Sequence, residues 1–73
     1  MMVPLNQIEP CAFGSWGMVL RYAAMLREMK KAPPIVLARQ DNKLHQFRVI
    51  DGQHRYHAAK EVRRLKIKAI IAE

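Results

Sequence analysis

An α+β fold is predicted, a small mixed sheet carrying two helices in the order β-α-β-β-α-β. Three features predict it. Residues 18–31 and 53–64 place apolar side chains at helical spacing. Residues 35–38 and 66–72 are rich in branched apolar side chains, and the second stretch interleaves them with lysine. The segment 48–59 reads as strand, glycine turn and helix start in immediate succession.

Taken in order, Val3, Leu5 and Ile8 predict a short opening strand. Pro4 predicts that it lies at an edge, where a missing N–H is tolerated. Residues 10–17 form a connection, because Gly14 and Gly17 disfavour regular structure. Trp16 in this connection is expected to lie over the core, the alternative being that it helps line a pocket. The first helix, 18–31, aligns Met18, Tyr22, Met25, Leu26 and Met29 on one face, with Ser15 as its cap. Lys30 and Lys31 close it where cations suit the helix dipole. The methionines read as core filler, and Arg21 and Arg27 fall off the apolar face. Ala32-Pro33-Pro34 then ends the helix and imposes an extended entry. Ile35, Val36, Leu37 and Ala38 read as a central strand covered on both faces. Asp41-Asn42 predicts a hairpin turn, and 44–50 the returning antiparallel strand. The second helix, 53–64, carries the apolar stripe Ala58, Ala59 and Val62, continued by Leu65. The last strand, 66–72, alternates Ile67, Ala69 and Ile71 with Lys66, Lys68 and Ile70.

Composition bounds the possibilities. The 73 residues allow one small domain, 1–73. A chain of this size buries only roughly 60% of the surface it exposes when unfolded. Dimerisation, a larger protein partner or a bound ligand would therefore add needed stability. The single cysteine, Cys11, excludes an internal disulfide, and its spacing from His45, His54 and His57 does not suggest a metal site. This cysteine usage fits a reducing cytoplasm. No apolar run approaches membrane-span length. Thirteen Lys and Arg against six acids give a net charge of +7, which favours a polyanionic partner such as nucleotide or nucleic acid.

The chemistry concentrates at Asp51-Gly52-Gln53-His54-Arg55. Gly52 permits the left-handed backbone of a tight turn, and Asp51 is a candidate N-cap or, through water, a magnesium contact. A helix start offers free N–H groups and a partial positive charge. His54 and Arg55 add an imidazole and a forked guanidinium where cations are otherwise mildly unfavourable. Together these groups describe an anion site, most naturally for phosphate. The alternative is that Asp51 satisfies the amides and Arg55 points to solvent. The basic group Lys60, Arg63, Arg64, Lys66 and Lys68 reads as a solvated face that could also follow a phosphate backbone.

With this order of elements and the run Ile50-Asp51-Gly52-Gln53-His54-Arg55-Tyr56-His57-Ala58-Ala59, the sequence resembles the ParB N-terminal, or ParB-like nuclease, domain of the ParB/sulfiredoxin superfamily. Val3-Pro4-Leu5 with Ile8, Met29-Lys30 before Pro33-Pro34-Ile35-Val36, and the Gly-x-x-Arg motif carry the resemblance over nearly the whole chain. The resemblance implies that Gly52, Gln53, His54 and Arg55 form a phosphate loop, with Arg21 of the first helix reaching the same phosphates. It also implies CTP or ATP as ligand, bound with Mg2+. Sulfiredoxin's catalytic cysteine is replaced here by Gln53, so sulfinic-acid reductase chemistry is not expected. ParB proper continues into a helical region and a helix-turn-helix that these residues do not contain. They read as a stand-alone minimal domain or a fragment.

Three functions follow as expectations. The first is a nucleotide-binding domain, acting as a CTP- or ATP-dependent phosphohydrolase or switch linked to DNA transactions. The second is a DNA-binding or nuclease-like module without sequence preference. Against it, neither a recognition helix nor an aromatic platform is evident in the sequence. The third is a partner-binding domain in which the phosphate loop is idle.

Overall fold

Exposure alternates along Lys66–Ala72, with Lys66, Lys68, Ile70 and Ala72 on the outer side and Ile67, Ala69 and Ile71 on the inner, and the sheet is assembled on this strand as β4. It pairs antiparallel with β1, Met2–Pro4, in the register Met2–Lys68, Val3–Ile67, Pro4–Lys66. On its other side it pairs parallel with β2, Ile35–Arg39, from Ile35–Ala69 to Ala38–Ala72. β2 pairs antiparallel with β3, Phe47–Asp51, across a bulge between Val36 and Leu37. The strand order is β1-β4-β2-β3, and the computed structural model describes residues 1–72. The helices are α1, Trp16–Arg27, and α2, Gln53–Glu61. The predicted α+β class, element order and mixed sheet are all present.

Several boundaries differ from the sequence reading, each for a local reason. The opening strand ends at Pro4, and Leu5–Gln7 turns as a short 3-10 helix. Ile8 then meets the far edge, bridging Phe47 in parallel. The first helix starts at Trp16 rather than at residue 18, because the Ser15 hydroxyl accepts the Met18 amide and Gly17 is absorbed in the first turn. It ends at Arg27, and Met29 takes the left-handed conformation with φ 59°. The second helix ends at Glu61 in the same way, with Arg63 at φ 59°, and Leu65 lies beyond it, exposed. At both ends the left-handed residue's amide and the next amide bond back to helix carbonyls, Met29 to Leu26 and Lys30 to Met25, Arg63 to Lys60 and Arg64 to Ala59. The returning strand begins at Phe47, later than residue 44, because the Asn42 side chain accepts the Leu44 and His45 amides and extends the turn.

The core has two parts. On the sheet face Val3, Ile8, Ile35, Leu37, Phe47 and Ala69 pack with Tyr56 of α2. Between the helices Val19 and Ala23 meet Ala58, with Tyr22, Leu26 and Val62 at the edges. α1 packs chiefly on α2, and α2 contacts the central strands β2 and β4. The buried stripe of α1 is therefore Val19 and Ala23, turned by one residue from the predicted methionine face. Met18 and Met25 are half-buried and Met29 is exposed, so the methionines are not the core filler expected. Double coverage of β2 is also not found: Ile35 and Leu37 are buried, but Val36 and Ala38 are half-buried.

The helices run in the same direction. At their starts the Ser15 amide donates to His54 Nε2 at 2.9 Å. At their ends Arg64 donates to the Leu26 carbonyl at 3.2 Å. Small residues at the contact, Ala23 and Ala58, let the two axes approach.

Candidate functional site

The parallel helices bring both N-termini, with both positive dipole ends, to the loop at Gly52. Gly52 itself is the N-cap of α2, at φ 104° and ψ 27°, and its carbonyl accepts the Tyr56 amide at 2.9 Å. No side chain caps this helix. The expectation that Asp51 caps it is thus overturned. Asp51 is the last residue of β3, and its carboxylate meets Arg55 at 3.4 Å. The glycine is needed for two reasons. Its backbone is left-handed, and a Cβ there would lie 2.6 Å from Ile35 Cγ2.

A pocket of about 290 Å³ opens at this helix start, lined by Cys11, Tyr22 and the run from Val49 to Arg55. Gly52, Gln53, His54, Arg55 and Asp51 are thereby brought together at one site. Arg21 is exposed on α1 and does not line the pocket.

Arg55 and His54 in the pocket already have protein partners. Arg55 donates from one terminal nitrogen to the carbonyls of Pro33 and Pro34, both at 3.0 Å, and from the other to Asp51 at 3.4 Å. Its guanidinium also lies 5.8 Å from the centre of the Tyr22 ring. The side chain is 14% exposed, so it does not simply point to solvent. Three of its five N–H donors are used by these bonds. His54 accepts the Ser15 amide through Nε2, which leaves Nδ1 as the ring nitrogen able to donate. His57 is set oppositely: its Nε2 is 2.9 Å from the Cys11 carbonyl, which only accepts, so that nitrogen carries a proton.

The 11–15 segment, read from sequence as a plain connection, is therefore part of the site. Gly14 is left-handed at φ 74°, and a Cβ there would come within 2.5 Å of both Gln53 Nε2 and His54 Nε2. Cys11 Sγ lies 3.9 Å from His57 Nε2. Burial pushes its thiol up from the ordinary value, partly offset by its backbone hydrogen bond and by Lys60. Tyr56 is raised too, first by burial and then by the Cys11 charge. Phe13 and Trp16 stack on each other with ring centres 4.8 Å apart. They are 42% and 46% exposed, so Trp16 does not lie over the core, and an aromatic platform exists that sequence reading did not find. The signal available was the run Phe13-Gly14-Ser15-Trp16, two aromatics around a flexible residue and a helix cap.

At the other end of the helix pair lies a larger groove of about 600 Å³. Leu26, Met29, Pro33, Pro34 and Ile67 form much of its apolar lining, and Lys30, Lys31, Arg64, Lys66 and Lys68 also border it. Tyr22 and Arg55 line both cavities, so this pair stands between them.

A family model described as the ParB N-terminal domain matches residues 19–73. The chain belongs to this family. Solved structures agree in fold. Sulfiredoxin from Arabidopsis thaliana superposes with a TM-score of 0.79 at 22% identity, covering 100% of this chain and 85% of that one. The chromosome-partitioning protein ParB from Caulobacter crescentus, truncated at its C-terminus and complexed with CTP-gamma-S, gives 0.80 at 14% identity, covering 100% of this chain and 43% of that one. The same truncated ParB complexed to the centromeric parS site gives 0.75 at 12% identity, with 100% and 38% covered. The chain thus spans less than half the length of those ParB structures. At these identities the likeness is one of fold. No curated protein matches in sequence. Among the described residues, no helix is long and apolar enough to cross a membrane.

Proposed function

We propose that this ParB-family domain binds a nucleoside triphosphate, CTP or ATP, with its phosphates at Gly52, Gln53, His54 and Arg55. The observation that carries this reading is the convergence of two helix N-termini on a glycine loop that no side chain caps. The CTP-gamma-S held by the ParB neighbour supports it. The free amides at the start of α2 would donate to the phosphate oxygens, and the remaining donors of Arg55 would add charge-assisted bonds. His54 would donate through Nδ1–H. Arg21, exposed on α1, is proposed to reach the outer phosphates by moving its side chain. Mg2+ needs few carboxylates when phosphates supply the other oxygens. Asp51, whose side chain is 74% exposed, is the residue that would hold it, through water. Asp51 is also the one carboxylate lining the pocket among the described residues, and it is paired with Arg55. Binding, or a nucleotide-controlled switch, is therefore the function proposed ahead of hydrolysis.

The test is calorimetric titration of CTP, ATP and pyrophosphate, with Mg2+, into the wild type and variants. Arg55→Ala should weaken binding about ten- to a hundred-fold, the range for one charge-assisted hydrogen bond. Arg63→Ala, at the far end of α2, should leave it unchanged. If the wild type binds none of the three, or if Arg63→Ala weakens binding as much as Arg55→Ala, the loop is not the site. Arg55 also holds Pro33 and Pro34, so the unfolding midpoint is measured beside each titration.

A second reading rests on the cations at the opposite groove. Lys30, Lys31, Arg64, Lys66 and Lys68 are all exposed and border one surface. They support sequence-independent contact with a polyanion such as DNA. Binding of mixed duplexes that falls steeply with salt, with no preference among sequences, is the expected result. A strong preference for one duplex would contradict it.

A further inference from the structure

We propose that Trp16 is a stacking surface for the base of the nucleotide whose phosphates sit at the Gly52 loop, an inference that rests on the phosphate reading above. Four rings form a row leading outward from the core. Tyr56 is buried and meets His57 edge-on with centres 5.0 Å apart. His57 meets Phe13 at 4.9 Å, and Phe13 stacks on Trp16 at 4.8 Å with 24° between the planes. Trp16 ends the row. No other ring packs on it among the described residues, and it is 46% exposed. The row is rigidly tied to the phosphate loop at two points. His57 holds the Cys11 carbonyl, and His54 holds the Ser15 amide. Between them Gly14 rests directly on the side chains of Gln53 and His54. Trp16 follows Gly14 by two residues, at most about 7 Å of chain, which is within the reach of a sugar joining base to phosphates.

Phe13 covers one face of the indole, and leaving the other face open in so small a protein wastes its apolar area, unless something planar covers it. A nucleobase has the right shape, and base stacking on an aromatic side chain tolerates any base. The platform therefore adds affinity without choosing between CTP and ATP. The ordered inner rings keep Phe13 and Trp16 in place before the ligand arrives, so little ordering entropy is lost on binding.

Trp16 is the only tryptophan, so its fluorescence reports directly on this surface. CTP, ATP and inorganic tripolyphosphate are titrated, with Mg2+, into the wild type, Trp16→Phe and Trp16→Ala, following heat and fluorescence together. Far-ultraviolet circular dichroism checks that each variant is folded. The nucleotides should quench Trp16, and tripolyphosphate should bind without quenching. Trp16→Ala should weaken nucleotide binding about five- to a hundredfold, towards the affinity of tripolyphosphate, and Trp16→Phe should retain most of it. Nucleotides that bind no better than tripolyphosphate and leave the fluorescence unchanged would overturn the platform while leaving the phosphate site intact. Failure of all three ligands to bind would overturn both. Quenching by a short single-stranded oligonucleotide, with none by CTP or ATP, would overturn the free-nucleotide reading in favour of a strand.

Discussion

The two ends of the helix pair each contain two residues in the left-handed conformation, but they fill them differently. At the N-terminal end these are Gly14 and Gly52, and at the C-terminal end Met29 and Arg63. The difference is one of space. A side chain at Gly52 would meet Ile35, and one at Gly14 would meet Gln53 and His54. Met29 is exposed beside the open groove, and Arg63 is exposed past the helix end. Charge follows the same division. The N-terminal end is positive through oriented backbone dipoles in a small, largely polar pocket. The C-terminal end has the negative dipole ends, and Lys30, Lys31 and Arg64 overlay them with side-chain charge. One end is built by backbone conformation and admits little change, whereas the other is built by side chains and admits much.

The largest expected effect tests the crowded end. Gly52→Ala combines a left-handed alanine with a collision against a fully buried isoleucine. It should destabilise the fold by about 2–5 kcal/mol. Urea unfolding measures this, and a loss well under 1 kcal/mol would remove the crowding argument. Gly14→Ala should lose less, about 1–2 kcal/mol. Its obstacles are the far ends of two side chains, which can swing away.

The open end should respond with the opposite sign. Met29→Gly and Arg63→Gly relieve a left-handed side chain that nothing requires, and each should raise stability by about 1 kcal/mol. A fall in the unfolding midpoint for either would break the comparison. Arg64→Ala removes a bond to the Leu26 carbonyl and a cation from the end of α1, for a loss of about 0.5–1.5 kcal/mol that shrinks with added salt.

The smallest effect concerns Cys11. Its thiol is raised in the folded state, chiefly by burial, so the folded protein favours the protonated form. Stability from this group is fully present below the unfolded thiol's pKa and is lost as pH rises through the folded value. Alkylation by iodoacetamide at neutral pH should accordingly be slower than for a free cysteine. Denaturation with base should begin slightly later in Cys11→Ala. Faster alkylation than in a peptide would show an activated thiol instead.

The sequence determined the class, the order of elements and the last strand to the residue, because Lys66 and Lys68 alternating with Ile67, Ala69 and Ile71 decide which face of the strand is buried. It also marked Gly52 to Arg55 as a strand-to-helix turn rich in donors, which is where the polar pocket lies. Tertiary structure decided how those donors are used. Arg55 finds its partners in the Pro33 and Pro34 carbonyls, 22 and 21 residues away, and no local pattern encodes that meeting. His54 and His57 find their ring-nitrogen partners in a loop near the other end of the chain. Only the parallel packing of α1 on α2 places Ser15 beside His54 and joins two helix starts into one site. The spacing of side chains along a helix is a local property, readable from period alone. The direction in which two helices meet depends on strand order, and strand order depends on contacts across the whole chain.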